Sequence, residues 1–246
     1  MKLNNLNGQQ RFAKMHQFFT DQSLELHQKV TLSSAQQFQI FKVLKLKSTE
    51  VVRIVNHEGV GFEAEVTMDQ QFILTKPIDF ISNQRRVVLG LSLIRSEKLE
   101  LALQKATEVG VDEIVLIDAQ RSVVKFKPDV FPKKLKRYQT ILMEAAEQAQ
   151  RQFIPKISTL VKSTNIHSLP YAEVYYGDLS EKAFSLKSLS PQQMVMVLIG
   201  PEGGWSPQEL IYFESANFKP IRFSKQTLRA ETAAIIASHL LVNHES

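Results

Sequence analysis

The chain has 246 residues, of which 43% are hydrophobic and 22% are charged. This is enough apolar material for one or two folded domains, and the composition is ordinary for a globular protein in water. The absence of cysteine excludes a disulfide scaffold, a cysteine-ligated zinc site and a thiolate nucleophile. The six histidines have no metal-ligand spacing, so we expect no metal.

The polar N-terminus and the short apolar runs predict a cytoplasmic protein that does not bind membranes. Even a long apolar run such as residues 194–199 is too short to cross a bilayer. The formal net charge is +5. Between Arg121 and Arg137, seven basic residues stand against one acidic residue. Such an excess raises the affinity for phosphates, but it is as typical of a solvated helix face.

The first 80 residues have the pattern of a small β-barrel. Short segments rich in Val, Thr, Phe and Ile predict strands at residues 29–32, 51–55, 62–67 and 72–75. Hairpin turns are expected at residues 57–59 and 68–70, and a helix at residues 34–44. The polar segment 81–86 marks a boundary. We therefore predict two domains, residues 1–82 and residues 83–246.

Strands and helices alternate after this boundary, which predicts a mostly parallel α/β sheet. The expected strands are residues 87–94, 114–117, 174–176, 194–199 and 220–223. We expect Ser96 to cap the first helix and Gly110 to end it. A long helix should begin at Pro132, and the last helix should cover residues 230–241.

A glycine-rich loop, Gly200–Gly204, follows the apolar strand 194–199. Ser206 to Glu209 then has the pattern of a helix capping box. Ligands of open α/β sheets bind at the C-terminal ends of strands, and glycine lets a backbone approach a ligand. The loop lacks the phosphate-binding glycine patterns, and Glu202 would repel a phosphate. A cationic ligand such as S-adenosylmethionine suits it better; a purely structural turn is the alternative.

The segment Leu228–Ala233 should begin the last helix, where free backbone N–H groups and the positive end of the helix dipole lie. Arg229, Glu231 and Thr232 are therefore candidates for contact with a ligand or substrate. In the alternative interpretation the segment has only a structural role. Thr227 then caps the helix, and Glu231 is an acid in the first turn that stabilises the helix.

Several of these segments together resemble one family. Residues 197–210 and 228–234 resemble the signature of the SPOUT methyltransferases. Residues 98–111, 120–125 and 144–151 narrow the resemblance to the RsmE family, which methylates N3 of a uridine in bacterial 16S ribosomal RNA. The resemblance covers nearly the whole chain in order.

This resemblance implies a PUA-like β-barrel in residues 1–82 that binds RNA. It also implies a SPOUT α/β domain in residues 83–246, tied in a deep trefoil knot that strand patterns alone would not suggest. S-adenosyl-L-methionine is the implied methyl donor, and 16S rRNA of the small ribosomal subunit is the implied partner, with m3U1498 as the product. A homodimer is expected.

The resemblance also implies a set of site residues. The methyl donor is expected in loops around residues 176–178, 199–204 and 223–233. The residues carried over are Tyr176, Gly177, Ile199, Gly200, Pro201, Glu202, Gly203, Gly204, Phe223, Leu228, Arg229, Ala230, Thr232 and Ala233. RNA phosphates are expected at Arg11, Lys42, Lys45, Arg53, Arg121, Lys125 and Lys127.

Methylation of N3 requires loss of a proton and stabilisation of charge on the uracil oxygens. We expect Arg229 to donate to these oxygens or to a phosphate. Glu231 is the better candidate for the base and Glu202 the weaker one, unless water takes the proton. The chain departs from the family pattern at Gln39 and Lys45, which replace His and Arg, and at Gln150, which replaces Gly.

Two other functions fit the same sequence. One is another SPOUT reaction, on a different rRNA or tRNA base or on a ribose 2′-oxygen. The other is a catalytically inactive RNA-binding factor in ribosome assembly.

Overall fold

The computed structural model describes residues 15–81, 85–127, 129–157, 160–166, 173–180, 183–185 and 194–243. The chain divides into two units, Met1–Asp79 and Phe80–Ser246. The expected RNA contact Arg11 lies outside the described residues. No helix in the described ranges is both long enough and apolar enough to span a membrane.

A five-stranded sheet organises the first unit, in the order β1-β3-β4-β5-β2. Its strands are β1 (Gln17–Thr20), β2 (Lys29–Val30), β3 (Val51–Asn56), β4 (Gly61–Val66) and β5 (Phe72–Pro77). β3, β4 and β5 form antiparallel hairpins, as predicted, whereas β1 pairs in parallel with β3. Strand β1 was not predicted, because all four of its residues are buried and the alternation that marks a strand is absent.

The helix predicted at residues 34–44 consists of two consecutive segments. Helix α1 (Ser34–Phe38) begins with a capping box between Ser33 and Gln36. A π-helix, Gln39–Val43, follows it without a break. Lys45 then has φ of +56°, a left-handed conformation that ends the helical stretch. Lys42 and Lys45 are both exposed in this arrangement.

The second unit contains an eight-stranded sheet in which every described pairing is parallel. The strand order is β11-β13-β10-β12-β6-β7-β8, and β9 also pairs with β7. The strands are β6 (Arg86–Ser92), β7 (Glu113–Asp118), β8 (Lys156–Ile157), β9 (Val161–Lys162), β10 (Glu173–Gly177), β11 (Phe184–Ser185), β12 (Met194–Ile199) and β13 (Lys219–Arg222). The predicted α/β fold with a parallel sheet is confirmed.

Helices cover both faces of this sheet. They are α2 (Ser96–Val109), α3 (Phe131–Gln148), α4 (Pro207–Ser215) and α5 (Ala230–Val242), with a short 3-10 helix at Ser163–Asn165. Val197 of β12 packs in the cluster that includes α2, α3 and α5, whereas its neighbours Met196 and Leu198 pack in the cluster that includes α4. Alternate side chains are therefore buried on opposite faces, which explains the continuous apolar runs in the sequence.

The predicted cap of α2 is wrong, and the cap that the alternative interpretation gave for α5 is not observed. The N-cap of α2 is Arg95, and Ser96 is already the first helical residue, where its hydroxyl accepts a hydrogen bond from Lys134 (3.2 Å). The N-cap of α5 is Arg229 rather than Thr227, and its side chain forms no capping hydrogen bond. Gly110 ends α2 as predicted, with φ of +122°.

The C-terminus of α2 is closed by Arg151. Its guanidinium donates to the carbonyl oxygens of Thr107 (3.1 Å) and Val111 (2.6 Å), which satisfies acceptors that a helix end leaves free. Gln150, directly before it, has φ of +54°. Glycine would adopt such a conformation without strain.

Gly90 in the middle of β6 allows close packing between strands. A Cβ atom at this position would lie 2.6 Å from Cδ2 of Leu198 and 3.0 Å from Cδ1 of Ile117. Gly90→Ala should therefore overpack the sheet and lower the free energy of unfolding by about 1–3 kcal/mol, measured by urea denaturation. Gly177→Ala is the matched control, because its nearest contact would be 3.6 Å. Equal stability of the two variants would contradict this account.

Candidate functional site

A cavity of about 480 Å³ lies at the C-terminal ends of β10, β12 and β13. Neighbouring parallel strands end at the same edge of a sheet, so their following loops meet there. Most of the lining comes from residues within three segments, 177–179, 199–205 and 221–230. Leu210 of α4 and Ala233 of α5 complete it. Segments distant in sequence are thereby gathered around one space, whose size is typical of a small-molecule site.

The lining combines apolar walls with few charges. Asp178 and Glu202 contribute carboxylates, and Arg229 is the only basic residue among those that line it. Asp178 is already engaged, since Oδ1 accepts from the backbone N–H of Leu179 (2.7 Å). The apolar contacts come from Leu179, Ile199, Pro201, Leu210, Ile221, Phe223, Leu228, Ala230 and Ala233. Such a cavity suits an apolar ligand with cationic groups better than a phosphate.

Most residues predicted to bind the cofactor line this cavity. They are Gly177, Ile199, Gly200, Pro201, Glu202, Gly204, Phe223, Leu228, Arg229, Ala230 and Ala233. Sequence reasoning missed Leu179, Trp205, Leu210 and Ile221. Trp205 could have been found, because it directly follows the glycines and is the only tryptophan. Leu210 and Ile221 belong to regular elements and carry no local signal of a site.

Three predicted residues do not line the cavity. Tyr176 packs in the cluster that includes α4, where its ring centroid lies 5.1 Å from that of Phe213. Thr232 is half-buried on α5, between the lining residues Ala230 and Ala233. Gly203 lies against Arg121 instead.

The loop glycines serve the fold of the loop itself. A Cβ atom at Gly200 would lie 3.2 Å from the indole of Trp205, and one at Gly203 would lie 3.2 Å from Cβ of Arg121. Gly204 has φ of +67°, which a side chain would strain. The sequence predicted that glycine lets the backbone approach a ligand. At Gly200 and Gly203, the structure shows close approach to other parts of the chain.

Trp205 forms the wall between this loop and the core. Its ring is buried and meets Phe213 edge to face, with centroids 4.9 Å apart. Its indole N–H is buried and has no hydrogen-bond partner among the described residues. Because it is the only tryptophan, its fluorescence reports on the cavity.

A buried carboxylate, Glu209, fixes the helix that follows the loop. One oxygen accepts from the backbone N–H of Ser206 (2.7 Å), which completes the predicted capping box. The other accepts from the backbone N–H of Gln120 (2.9 Å) in the loop after β7. Burial by itself raises the pKa of Glu209, but hydrogen bonds from Ser163, Ser206 and Gln120 outweigh it and hold the pKa below its usual value.

Arg229 and Glu231, the two predicted catalytic residues, have different environments. Arg229 is exposed and lines the cavity. Glu231 is only 8% exposed, lies outside the lining and forms an ion pair with Lys98 of α2 (3.3 Å). Its second oxygen is buried without a partner among the described residues. Glu231 therefore joins α5 to α2 behind the cavity.

The predicted RNA contacts also differ in their surroundings. Lys42, Lys45 and Lys127 are exposed. Arg53 is half-buried beside Glu63 on the neighbouring strand; burial lowers the pKa of Arg53 and the charge of Glu63 partly restores it. Lys125 is paired with Asp118 (2.5 Å).

Arg121, by contrast, donates hydrogen bonds to the backbone of the glycine loop. No group of three potential metal ligands occurs in the described part of the chain.

Comparison with known proteins identifies the family. Residues 82–242 match the model of the RNA methyltransferase domain. A ribosomal RNA small subunit methyltransferase E of Mesomycoplasma hyopneumoniae is 30% identical over 208 residues, which cover 79% of this chain and 86% of that relative. Another, from Borreliella burgdorferi, is 32% identical over 202 residues, which cover 80% of this chain and 77% of that relative. The chain belongs to the ribosomal RNA small subunit methyltransferase E family. The family predicted from the sequence is confirmed.

Solved structures show the same fold. The Neisseria gonorrhoeae ribosomal RNA small subunit methyltransferase E, bound to S-adenosyl methionine, superposes with a TM-score of 0.82. It is 23% identical, and the match covers 91% of this chain and 95% of that one. A Legionella pneumophila methyltransferase in complex with the same cofactor gives a TM-score of 0.81 at 22% identity. The match covers 92% of this chain and 96% of that one. The likeness extends over both units of the chain.

Replacement of Glu209 tests the anchor of the loop. Because the folded pKa is lowered, the charge stabilises the fold above the unfolded pKa of about 4.3, and this contribution is lost as pH falls through the folded value. Glu209→Gln should lower the free energy of unfolding at pH 7 by about 1–3 kcal/mol. The difference from wild type should shrink below about pH 4.

The matched control is Glu214→Gln, an exposed acid on the same helix. Urea denaturation at several pH values measures both variants. A pH-independent deficit in Glu209→Gln, or an equal effect of Glu214→Gln, would show that the carboxylate charge is not what holds the loop.

Proposed function

We propose that this chain transfers a methyl group from S-adenosylmethionine to N3 of a uridine in 16S ribosomal RNA of the small subunit, in the cytoplasm. The product position m3U1498 follows from the family. The observation that carries the proposal is the cavity at the ends of β10, β12 and β13, in a chain that belongs to this family. Two solved structures of the same fold contain bound S-adenosyl methionine.

The chemistry of the lining fits this methyl donor. S-adenosylmethionine has no phosphate, and it carries a cationic sulfonium and a cationic ammonium group. The described lining of the cavity has two carboxylates, Asp178 and Glu202, and one basic residue, Arg229, so its charge favours these cationic groups. The apolar walls, including Phe223 and Leu228, provide surface for the adenosine. When bound, the donor supplies an electrophilic methyl group.

Arg229 stabilises the uracil as it becomes nucleophilic. Loss of the N3 proton places negative charge on O2 and O4, which a guanidinium can neutralise through directed N–H donors. Arg229 is exposed at the rim of the cavity and sits directly before the first turn of α5. The positive end of that helix favours the same charge. N3 lies on the pairing edge, so the uridine must be unpaired in order to enter.

The proton leaves without help from Glu231. A general base must reach the proton that it removes, directly or through one water. Glu231 is buried against Lys98, outside the cavity lining. Glu202 lines the cavity and is exposed, so it or solvent can accept the proton. We assign to Glu231 the role of holding the first turn of α5, and with it Arg229, in place.

RNA is bound through phosphates on both units. We propose that the first unit, as a PUA-like barrel, contributes Lys42, Lys45 and Arg53, and that Arg11 joins them. Lys127 and neighbouring basic residues of α3 contribute from the second unit. The exposure of Lys42, Lys45 and Lys127 supports this role.

We further propose that the second unit is knotted and forms a homodimer. The contacts of α5 with α2, β6 and β12 support the knot, because they return the C-terminus to the centre of the sheet. The composition of α5 supports the dimer, because apolar residues such as Ile235 and Ile236 remain only half-buried.

The function is tested with small subunits that lack the modification. The protein and radiolabelled S-adenosylmethionine are incubated with them, and the label is located by nucleoside mass mapping. Label at N3 of one uridine is expected. Label on another base or on a ribose oxygen would support a different SPOUT reaction. Absence of label together with absence of cofactor binding, measured through Trp205 fluorescence, would indicate a non-catalytic assembly factor.

Substitution of Arg229 separates substrate activation from cofactor binding. Arg229→Ala should lower kcat by about 10²–10³-fold, because a preorganised donor to the developing charge is lost. Affinity for S-adenosylmethionine, measured by calorimetry, should stay within a few fold. Lys225→Ala, an exposed basic residue of the loop before α5 that does not line the cavity, is the control. Equal losses of activity and cofactor affinity would contradict the assignment.

Substitution of Glu231 distinguishes a structural acid from a base. Glu231→Gln should lower kcat by about tenfold or less, with a pH–rate profile parallel to that of wild type. Lys98→Met, which removes the other half of the ion pair, should have a similar effect. If Glu231 is the base, the substitution will instead remove the acidic limb of the wild-type profile, and Lys98→Met will leave that limb in place.

A further inference from the structure

The loop after β7 reaches across the sheet to the glycine loop. β7 lies two strands away from β12, with β6 between them. Gln120 nevertheless contacts α4 twice, through its backbone N–H to Glu209 (2.9 Å) and its side chain to Gln208 (2.9 Å). The next residue, Arg121, donates through Nη1 to the carbonyl oxygens of Gly203 and Trp205, each at 3.2 Å.

These two carbonyls flank the left-handed residue of the loop. Gly204 lies between them with φ of +67°, and its N–H donates to the carbonyl oxygen of Pro201 (2.9 Å). A guanidinium that binds both flanking carbonyls holds the turn in this shape through charge-assisted hydrogen bonds. The two carbonyls are fixed relative to each other by Arg121, and the residues around them line the cavity.

Arg121 packs against Gly203 in the middle of the glycine loop. This glycine does not line the cavity, and its missing Cβ leaves room for Cβ of Arg121, which would otherwise be 3.2 Å away. Its neighbours Glu202 and Gly204 do line the cavity. Arg121 therefore supports the segment through a residue outside the lining, while the neighbouring residues of that segment line the cavity.

The support is rigid because its base is buried. Glu209 is fully buried, and it binds the backbone of Gln120 directly. The backbone of Arg121 is thus held next to a fixed point of α4, and only its side chain has to be ordered to reach the loop. Few degrees of freedom are lost when the two hydrogen bonds form.

We propose that Arg121 is a positioning residue for the methyl-donor loop rather than a contact to RNA phosphate. This inference rests on the proposed function of the cavity. The proposed role of Arg121 differs from that of the other basic residues between positions 121 and 137. Its guanidinium shapes the site for S-adenosylmethionine, whereas exposed neighbours such as Lys127 and Lys133 remain available to phosphates.

Three variants test this assignment. Arg121→Met removes the donors and keeps an unbranched side chain. Arg121→Lys keeps the charge, but its ammonium ends one bond short of the position of Nη1, which donates both hydrogen bonds. Gly203→Ala keeps Arg121 and its charge, while the new Cβ pushes the side chain away from the loop. Lys133→Met is the control, since it removes one charge from the same basic stretch without touching the loop.

Two affinities are measured for each variant. Calorimetry gives the Kd for S-adenosylmethionine, and a fragment of 16S ribosomal RNA that contains the target uridine gives the Kd for RNA at several salt concentrations. Arg121→Met and Gly203→Ala should both weaken S-adenosylmethionine binding by about tenfold or more. The affinity of Arg121→Lys for S-adenosylmethionine should lie between those of these two variants and that of wild type. None of the three should change the slope of log Kd for RNA against log salt.

Lys133→Met should give the opposite result, with unchanged cofactor affinity and a smaller salt slope. The proposal is overturned if Arg121→Met reduces the salt slope as Lys133→Met does, or if it leaves cofactor affinity unchanged. It is also overturned if Gly203→Ala has no effect on cofactor affinity. Thermal unfolding of each variant identifies loss of the fold, in which case Arg121→Lys decides. Failure of wild type to bind S-adenosylmethionine would instead refute the proposed function.

Discussion

The parallel pairing of β10, β12 and β13 is the constraint on which the site depends. Parallel neighbours end at the same edge, so the loops that follow them must share one space. β12 is buried on both faces, which fixes its register and leaves only its C-terminal loop free to meet a ligand. The helices add to this plan by closing both faces and by delivering the first turn of α5 to the cavity.

The glycine loop is held from outside by charged groups that do not face the ligand. Glu209 binds the backbone of two separate segments, and Arg121 binds the loop carbonyls. A buried carboxylate is costly unless hydrogen bonds satisfy it, and here they do so by joining parts of the chain more than 80 residues apart. The site is therefore preorganised, which limits the order that a ligand must impose when it binds.

Much of this arrangement could be predicted from the sequence. The capping box at Ser206, the strand Met194–Ile199 and the turn at Gly110 each depend on residues a few positions apart, and all three occur as predicted. The resemblance supplied the family and most of the cavity lining, because Gly200–Gly204 and Leu228–Ala233 are contiguous motifs. Strand β1 and the cap of α2 were not predicted correctly, since burial and packing outweigh local preference at those points.

What the sequence by itself determined is most of the elements, the family and the loops that carry the site. Only the tertiary structure decided which groups surround each side chain there. Arg121 and Lys127 are both exposed basic residues in one stretch, and Arg229 and Glu231 are both polar residues at one helix start. Their surroundings differ because Gly203 lies beside Arg121, and because Lys98 lies beside Glu231. Such contacts join residues far apart in sequence, so no local pattern encodes them.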